Sequence, residues 1–312
     1  MSSLKIFTLW FPSKQFATLM GILISVGTLG NILATSPLAY FTSEIGWRMI
    51  FGLTGGICLL LAAVAFWVLG RGKEKQEEPI PSVPVASPVG IFQSLLIVLG
   101  SLTFWQGSMA AFFRYGTFIS LQGLWLGPYL INIKGYSPLK TGNILIFLAL
   151  GVITGGPISG HLSDRAFLSR RDTVLWGLGA YTLCLLPLIG LWKIESPLGY
   201  ALLFFAMGFF NTFGIGIYPH LKDLFPTTIS GTVMTLINFF TMTGAAILMP
   251  AIGKIIESFR RVDQSYPAEA FNLSFWICFV GMVGSLLFYA FSKQKSFDDD
   301  RPEDIRGSRG LG

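Results

Sequence analysis

Residues 141–163 read Thr-Gly-Asn-Ile-Leu-Ile-Phe-Leu-Ala-Leu-Gly-Val-Ile-Thr-Gly-Gly-Pro-Ile-Ser-Gly-His-Leu-Ser, and only then does the chain reach charge, at Asp164-Arg165. The hydrocarbon core of a bilayer is about 30 Å thick and takes about 20 apolar residues per helix. This stretch meets that length. Its apolar residues are continuous, whereas a membrane-spanning strand would alternate apolar with polar. In lipid every backbone N–H and C=O must be satisfied within the segment, so the stretch reads as a transmembrane helix. Gly151, Gly155, Gly156 and Gly160 lie at small-residue spacing, which lets another helix approach closely, and packing is their expected role.

Working outward, seven more stretches share the property: 18–41, 47–70, 107–132, 173–192, 197–219, 228–253 and 271–291. Turn signals separate them, among them Thr42-Ser43-Glu44, Gly135-Tyr136-Ser137-Pro138 and Glu195-Ser196-Pro197. The composition agrees. Of 312 residues, 52% are hydrophobic and 12% charged, where a soluble domain carries about 25% charged residues. Mean hydropathy is +0.64. That supply of charge cannot wet the surface of an ordinary soluble enzyme, and it excludes a disordered chain and a nucleic-acid binder. The net charge of +6 sits in the connections between apolar runs, where basic residues report cytoplasmic loops. Cys58, Cys184 and Cys278 fall in three different runs with no disulfide or metal spacing. The expectation is an all-α integral membrane protein with eight transmembrane helices.

From Val89 to Ile133 the only charge is Arg114, so the region holds either two spans or one span behind an interfacial helix. Charge bias chooses between them. With eight spans and a cytoplasmic start, the inside collects Lys5, Lys14, Arg71, Lys73, Lys75, Arg165, Arg170, Arg171, Lys222, Lys293, Lys295, Arg301, Arg306 and Arg309. The outside collects Arg48, Lys134, Lys140, Lys193, Lys254, Arg260 and Arg261, roughly half as many. A ninth span would invert everything downstream. Residues 91–105 are therefore expected to lie along the cytoplasmic face as an amphipathic helix. Both termini fall on the cytoplasmic side of a cell (inner) membrane, and the first residues carry no signal-peptide pattern. The four prolines and mixed charge between Arg71 and Pro88 read as a cytoplasmic linker, and residues 293–312, with Asp298-Asp299-Asp300, as a solvated tail.

An internal match adds organisation. Phe11-Pro12 set over Phe225-Pro226 aligns Ser13 with Thr227, Thr18 with Thr232, Met20 with Met234 and Gly30 with Gly244, and Pro37 falls one residue from the counterpart of Pro250. The first and seventh spans thus read as equivalents in a parallel duplication, each starting at an aromatic-Pro-hydroxyl helix start and ending near a proline. Parallel halves are a known transporter architecture. By symmetry, about four helices would precede Met1. The expected domains are residues 1–70 as a two-helix part of an N-terminal bundle, 71–90 as linker, 91–292 as a complete six-helix C-terminal bundle led by the interfacial helix, and 293–312 as tail.

Within the spans a few residues carry chemistry. Arg114 is the only charge inside an apolar run. Either its guanidinium faces a cavity, where it can take a carboxylate or phosphate bidentately, or it snorkels to the nearby interface. Gln122 and Trp125 are one turn apart and could line a cavity with Tyr115 and Phe118. Asn211, and Asn238 with Thr241, are further polar groups at membrane depth, suited to solute contact or to bonds between helices. His161-Leu-Ser-Asp164 and His220-Leu-Lys-Asp223 repeat a His-x-x-Asp spacing, for which capping and packing outweigh a metal site. No cofactor and no metal are expected. No acidic residue lies well inside a span, so a proton carrier of that kind is not in view.

The order of these features resembles the last eight helices, the fifth to the twelfth, of a major facilitator superfamily transporter. Gly160-His161-Leu162-Ser163-Asp164-Arg165 with Ser169-Arg170-Arg171-Asp172 resembles that family's cytoplasmic loop signature. Gly27-Thr-Leu-Gly30-Asn31, Ala34-Thr-Ser-Pro37-Leu and Gly46-Trp47-Arg48 with Phe51 are similar to its fifth and sixth helices, and Leu121-Gln122-Gly123-Leu124-Trp125-Leu-Gly127-Pro128-Tyr129-Leu130 to its seventh. The resemblance implies a secondary transporter that moves a small solute by alternating access, in the manner of the sugar-phosphate permease-like branch. Substrate contacts would come from Arg114, Gln122, Trp125, Tyr115, Asn211 and Asn238, and Asp164 and Arg165 would form a gate latch. Arg114 points toward an organic anion as solute, with membrane lipid and a coupling ion as further partners and no nucleic acid. The alternative is a non-transporting membrane receptor or an inactive truncated transporter.

Overall fold

A computed structural model describes residues 16–33, 41, 44–72, 90–164, 169–261 and 266–293. The regular secondary structure among the described residues is helical, with no strand. The main elements are α1 (Phe16–Leu33), α2 (Trp47–Gly72), α3 (Ile91–Leu99), α4 (Leu102–Ser120, prolonged to Ile133), α5 (Pro138–Asp164), α6 (Arg170–Leu183), α7 (Pro197–Asn211), α8 (Ile217–Leu224), α9 (Ser230–Glu257) and α10 (Ala268–Ala290). Five helices are long and apolar enough to cross a membrane, or six if the bent pair α3–α4 is taken as one span. Residues 73–89 of the linker and 294–312 of the tail lie outside the described residues, as do Phe11-Pro12 and Pro37.

Two compact units are present: the chain up to Val26 together with the chain from Gly90, and Gly27–Val89. In the smaller unit α2 is apolar all round, with Phe66 82% and Leu59 75% exposed. Its charges lie at its two ends, Arg48 and Arg71, and Arg48 stacks 4.5 Å over the Trp47 ring.

In the larger unit, helix ends follow local chemistry. Ser169 caps α6 by accepting from the Asp172 N–H at 3.1 Å, and Asp172 in the first turn suits the helix dipole. Ser196 caps α7 through the Gly199 N–H at 3.0 Å, with Pro197 in the first turn. Gly190 (φ 85°) closes the path from α6 to α7 in a conformation other residues seldom take.

Several boundaries differ from the sequence expectation. The helix expected over residues 91–105 ends at Leu99. Gly100-Ser101 breaks the helix, α4 leaves at 80°, and the Trp105 indole N–H donates to the Leu99 carbonyl at 2.8 Å across the corner. The stretch 173–192 is not one continuous helix. α6 stops at Leu183 and the chain continues in turns to Gly190, where Pro187 supplies no backbone N–H. The stretch 197–219 runs on to Leu224, interrupted by a 3-10 segment, Thr212–Gly216. Pro250 does not end its helix but lies inside α9.

Glycines bring the backbones together. A side chain at Gly151 or Gly155 would overlap the Phe205 or Phe209 carbonyl of α7, and one at Gly208 would meet the Leu148 carbonyl of α5. The same reciprocity joins Gly116 of α4 to Gly244 of α9, and Gly21 of α1 to Gly156 of α5. Ser25 then donates to the Ile153 carbonyl at 2.9 Å. The expected packing role of Gly151, Gly155 and Gly156 is what the contacts display. Lipid offers no hydrophobic drive for helix association, so such close approach supplies the dispersion contact that holds the bundle. Near the far ends of α4 and α7 an aromatic cluster adds to it, with Tyr129 5.3 Å from Phe275 and 6.4 Å from Tyr200 between ring centres.

Gly151→Ala forces a methyl into a carbonyl with no rotamer to retreat to, so it should destabilise the bundle by about 1–3 kcal/mol. Gly284→Ala, which meets nothing within 4 Å, should leave the thermal melting of the detergent-purified protein unchanged.

Candidate functional site

Arg114 projects from the middle of α4 into the bundle and is 5% exposed. It does not snorkel to the interface. Its Nη1 donates to the Asn211 backbone carbonyl at 3.2 Å and approaches the Asn211 Oδ1 at 3.4 Å. Nε is buried without a partner. Among the described residues, no carboxylate pairs with this cation; the ion pair seen is Arg170–Asp223, far along the chain at the helix ends. An arginine, unlike a lysine, cannot shed its proton to reduce the burial cost.

α7 makes room for this side chain. Directly after Asn211 the helix tightens to the 3-10 segment, and a side chain at Gly214 would overlap Cδ and Nε of Arg114. A mid-helix 3-10 stretch marks a hinge or a strained place. Here it coincides with an arginine stem crossing against the helix and hydrogen-bonding its backbone. Tyr218, Tyr115 and Tyr181 lie within electrostatic reach of the guanidinium, and Arg114 sits 5.9 Å from the centre of the Tyr115 ring. The Tyr218 hydroxyl continues the polar chain to α9, 3.1 Å from the Thr241 Oγ1 and 3.4 Å from the Asn238 Oδ1. Because the Thr241 hydroxyl donates to the Ile237 carbonyl at 2.8 Å, its oxygen is left to accept from Tyr218.

Four of the six residues expected to contact solute thus converge on one belt across α4, α7–α8 and α9: Arg114, Tyr115, Asn211 and Asn238. Gln122 is half-buried farther along α4. Trp125 does not join the belt. The π-wound turn Leu121–Trp125 carries its ring against Phe271, 6.5 Å between centres, and against Gly253. Sequence reasoning missed Tyr218, Tyr181 and Gly214. Tyr218 lies at the end of the run 197–219 and Tyr181 in the middle of 173–192, and neither carries a charge that would single it out. Only the Gly-Ile-Gly at 214–216 hinted at a close approach.

At the opposite pole of α6, α8 and α10, the loop signature does structural service. Arg170 reaches Asp223 Oδ2 at 2.5 Å and the Pro219 carbonyl at 3.3 Å, and Arg171 donates to the Ala290 carbonyl. His220, 3% exposed, has one ring nitrogen 2.6 Å from the Tyr289 hydroxyl and the other 3.0 Å from the Lys293 carbonyl. Its His-x-x-Asp spacing therefore serves contacts between helices: His220 is taken by α10 and Asp223 by Arg170. Asp164 is the last residue of α5; its side chain, and Arg165, lie outside the described residues.

Gly214→Ala should cost about 1–3 kcal/mol beside native Arg114. In an Arg114→Ala background the same change should be neutral or stabilising, since alanine favours the helix. A double-mutant cycle of melting temperatures measures this coupling.

Comparison with known proteins identifies the family. Residues 1–249 match the Major Facilitator Superfamily model. The cis,cis-muconate transport protein of Acinetobacter baylyi is 25% identical over 298 residues, covering 93% of this chain and 67% of that protein. The probable galactarate/D-glucarate transporter GudP of Escherichia coli is 22% identical over 283 residues, covering 81% and 60%. The probable hexose phosphate transport protein of Chlamydia trachomatis is 22% identical over 284 residues, covering 81% and 60%. The chain spans between 60% and 67% of the length of these relatives. A multi-pass, all-helical chain whose family match covers most of its length belongs to the Major Facilitator Superfamily.

Proposed function

We propose that this protein is a secondary transporter that carries a small organic anion across the cell (inner) membrane by alternating access. One observation carries the reading: Arg114, a buried cation inside a span with no carboxylate to neutralise it among the described residues. Holding such a charge in a membrane interior is expensive, and a function that uses it accounts for its presence. Its partly satisfied guanidinium retains N–H donors for a carboxylate or phosphate. The relatives named for muconate, galactarate or glucarate, and hexose phosphate support an anionic solute. In this reading Arg114 attracts the anion, Tyr115, Asn211 and Asn238 orient it, and Gln122 and Trp125 complete the path. Asp164 and Arg165 latch the inner face between turnovers.

The same proposal includes eight spans, cytoplasmic termini, a two-helix portion over residues 1–70, a linker over 71–90, a six-helix bundle over 91–292 and a tail from 293. The 80° corner before α4 and the exposure of Ile91 and Phe92 on α3 support an interfacial helix there. A coupling ion travels with the solute, because a lone anion entering an inside-negative cell works against about 2.3 kcal/mol per charge per 100 mV.

Vesicles containing the protein should accumulate labelled dicarboxylates, sugar acids or hexose phosphates. Charge-assisted hydrogen bonds of about 1.5–3 kcal/mol predict at least about a tenfold loss of uptake in Arg114→Ala, and a smaller loss in Gln122→Ala. Native anion flux in Arg114→Ala would overturn the assignment of that residue. Absence of flux for every solute class would instead favour a non-transporting receptor.

A further inference from the structure

Lys134 and Lys193, two of the basic residues expected outside the cytoplasmic face, share one cavity. It has a volume of about 280 Å³ and lies at the end of the bundle away from Arg170 and Asp223, between the end of α4, the turn from α6 to α7 and the first turns of α7 and α10. Arg114, Asn211 and Tyr218 do not line it, so it is separate from the belt assigned to the solute. Tyr129, Lys134, Lys193, Glu195, Tyr200 and Asn272 provide its polar lining. The Lys134 ammonium lies 5.8 Å and 5.6 Å from the ring centres of Tyr129 and Tyr200. Neither lysine forms an ion pair with a described carboxylate. Two ammoniums against one Glu195 leave the lining with a positive balance. Phenol, amide and ammonium groups provide N–H and O–H donors around a volume at the small end of ligand cavities, sized for a head group more than for a drug-like molecule.

The rim points to the source of the anion. Leu191, Trp192 and Leu198 beside the cavity are 66%, 69% and 65% exposed. At the end of membrane-spanning helices, an exposed tryptophan flanked by exposed leucines marks the level where head groups meet acyl chains. We propose that this cavity binds a phosphate-bearing anion, namely the head group of an anionic phospholipid. Its phosphate lies between Lys134 and Lys193, and its chains descend along Leu191 and Leu198.

The full-length protein in mixed micelles or nanodiscs provides the test, read by native mass spectrometry and thermal shift with phosphatidylglycerol against phosphatidylcholine. Phosphatidylglycerol should be retained preferentially. At about fivefold per lysine near a lipid surface, the Lys134→Gln/Lys193→Gln double variant should lose most of that preference, and Lys134→Arg should keep it. Lys140→Gln, which alters an exposed lysine over Tyr136 outside the lining, should be silent. Glu195→Gln should tighten binding, a gain that misfolding cannot imitate. Equal retention of the two lipids, or undiminished phosphatidylglycerol binding in the double variant, would overturn the proposal. Lysine-dependent binding of inorganic phosphate or glycerol 1-phosphate as tight as that of the lipid would overturn the lipid as the source.

Discussion

The architecture depends on backbone approaching backbone. Inside a bilayer, burying apolar surface against another helix gains little, because lipid tails are equally apolar. Contact must come from fit, and fit here is provided where α5 and α7 exchange Gly151, Gly155 and Gly208 for each other's carbonyl edges, and where α4 meets α9 at Gly116 and Gly244. Leucine or phenylalanine fills the opposite faces, which look outward: Leu202 on α7 is 58% exposed and Phe239 on α9 is 60% exposed. These glycine contacts determine which helix faces look inward, and so which polar residues can meet.

Arg114 illustrates the dependence. The α4–α9 contact at Gly116–Gly244 orients that part of α4 and sends the arginine toward α7. There the backbone answers a charge that no described carboxylate answers: the helix tightens after Asn211 and its carbonyl accepts Nη1. One local departure from α-geometry thus does two jobs. It lowers the cost of the buried charge, and it leaves a place in α7 where the helix is wound differently from the turns on either side.

Much of the fold was legible in the sequence because bilayer thickness imposes one length on every crossing. The runs at 47–70, 228–253 and 271–291 are helices to within a few residues. Gly151, Gly155 and Gly156 pack as their spacing suggests. The ends were less legible. Leu183 is followed by residues as apolar as those before it, Gly100-Ser101 is only a short dip in an otherwise apolar stretch, and hydropathy cannot see an 80° corner or a switch into turns. Among the site residues, Arg114 stood out by charge alone, and Asn211 and Asn238 by polarity in an apolar run. The place of Trp125 was not legible, because the π-wound turn rotates it toward Phe271. Tyr218 was passed over because tyrosines near span ends usually mark the interface.

The sequence by itself determined that this is a membrane-embedded helical chain of the superfamily and that one arginine lies within a span. Continuous apolar length and isolated charge are properties of local stretches, and lipid reads them locally. Only the tertiary structure decided where that arginine points, that Gly214 yields to it, and that Lys134 and Lys193, well separated along the chain, face one cavity. Those outcomes follow from the rotation of each helix about its axis. That rotation is set by contacts between residues distant in sequence, and hydropathy does not encode it.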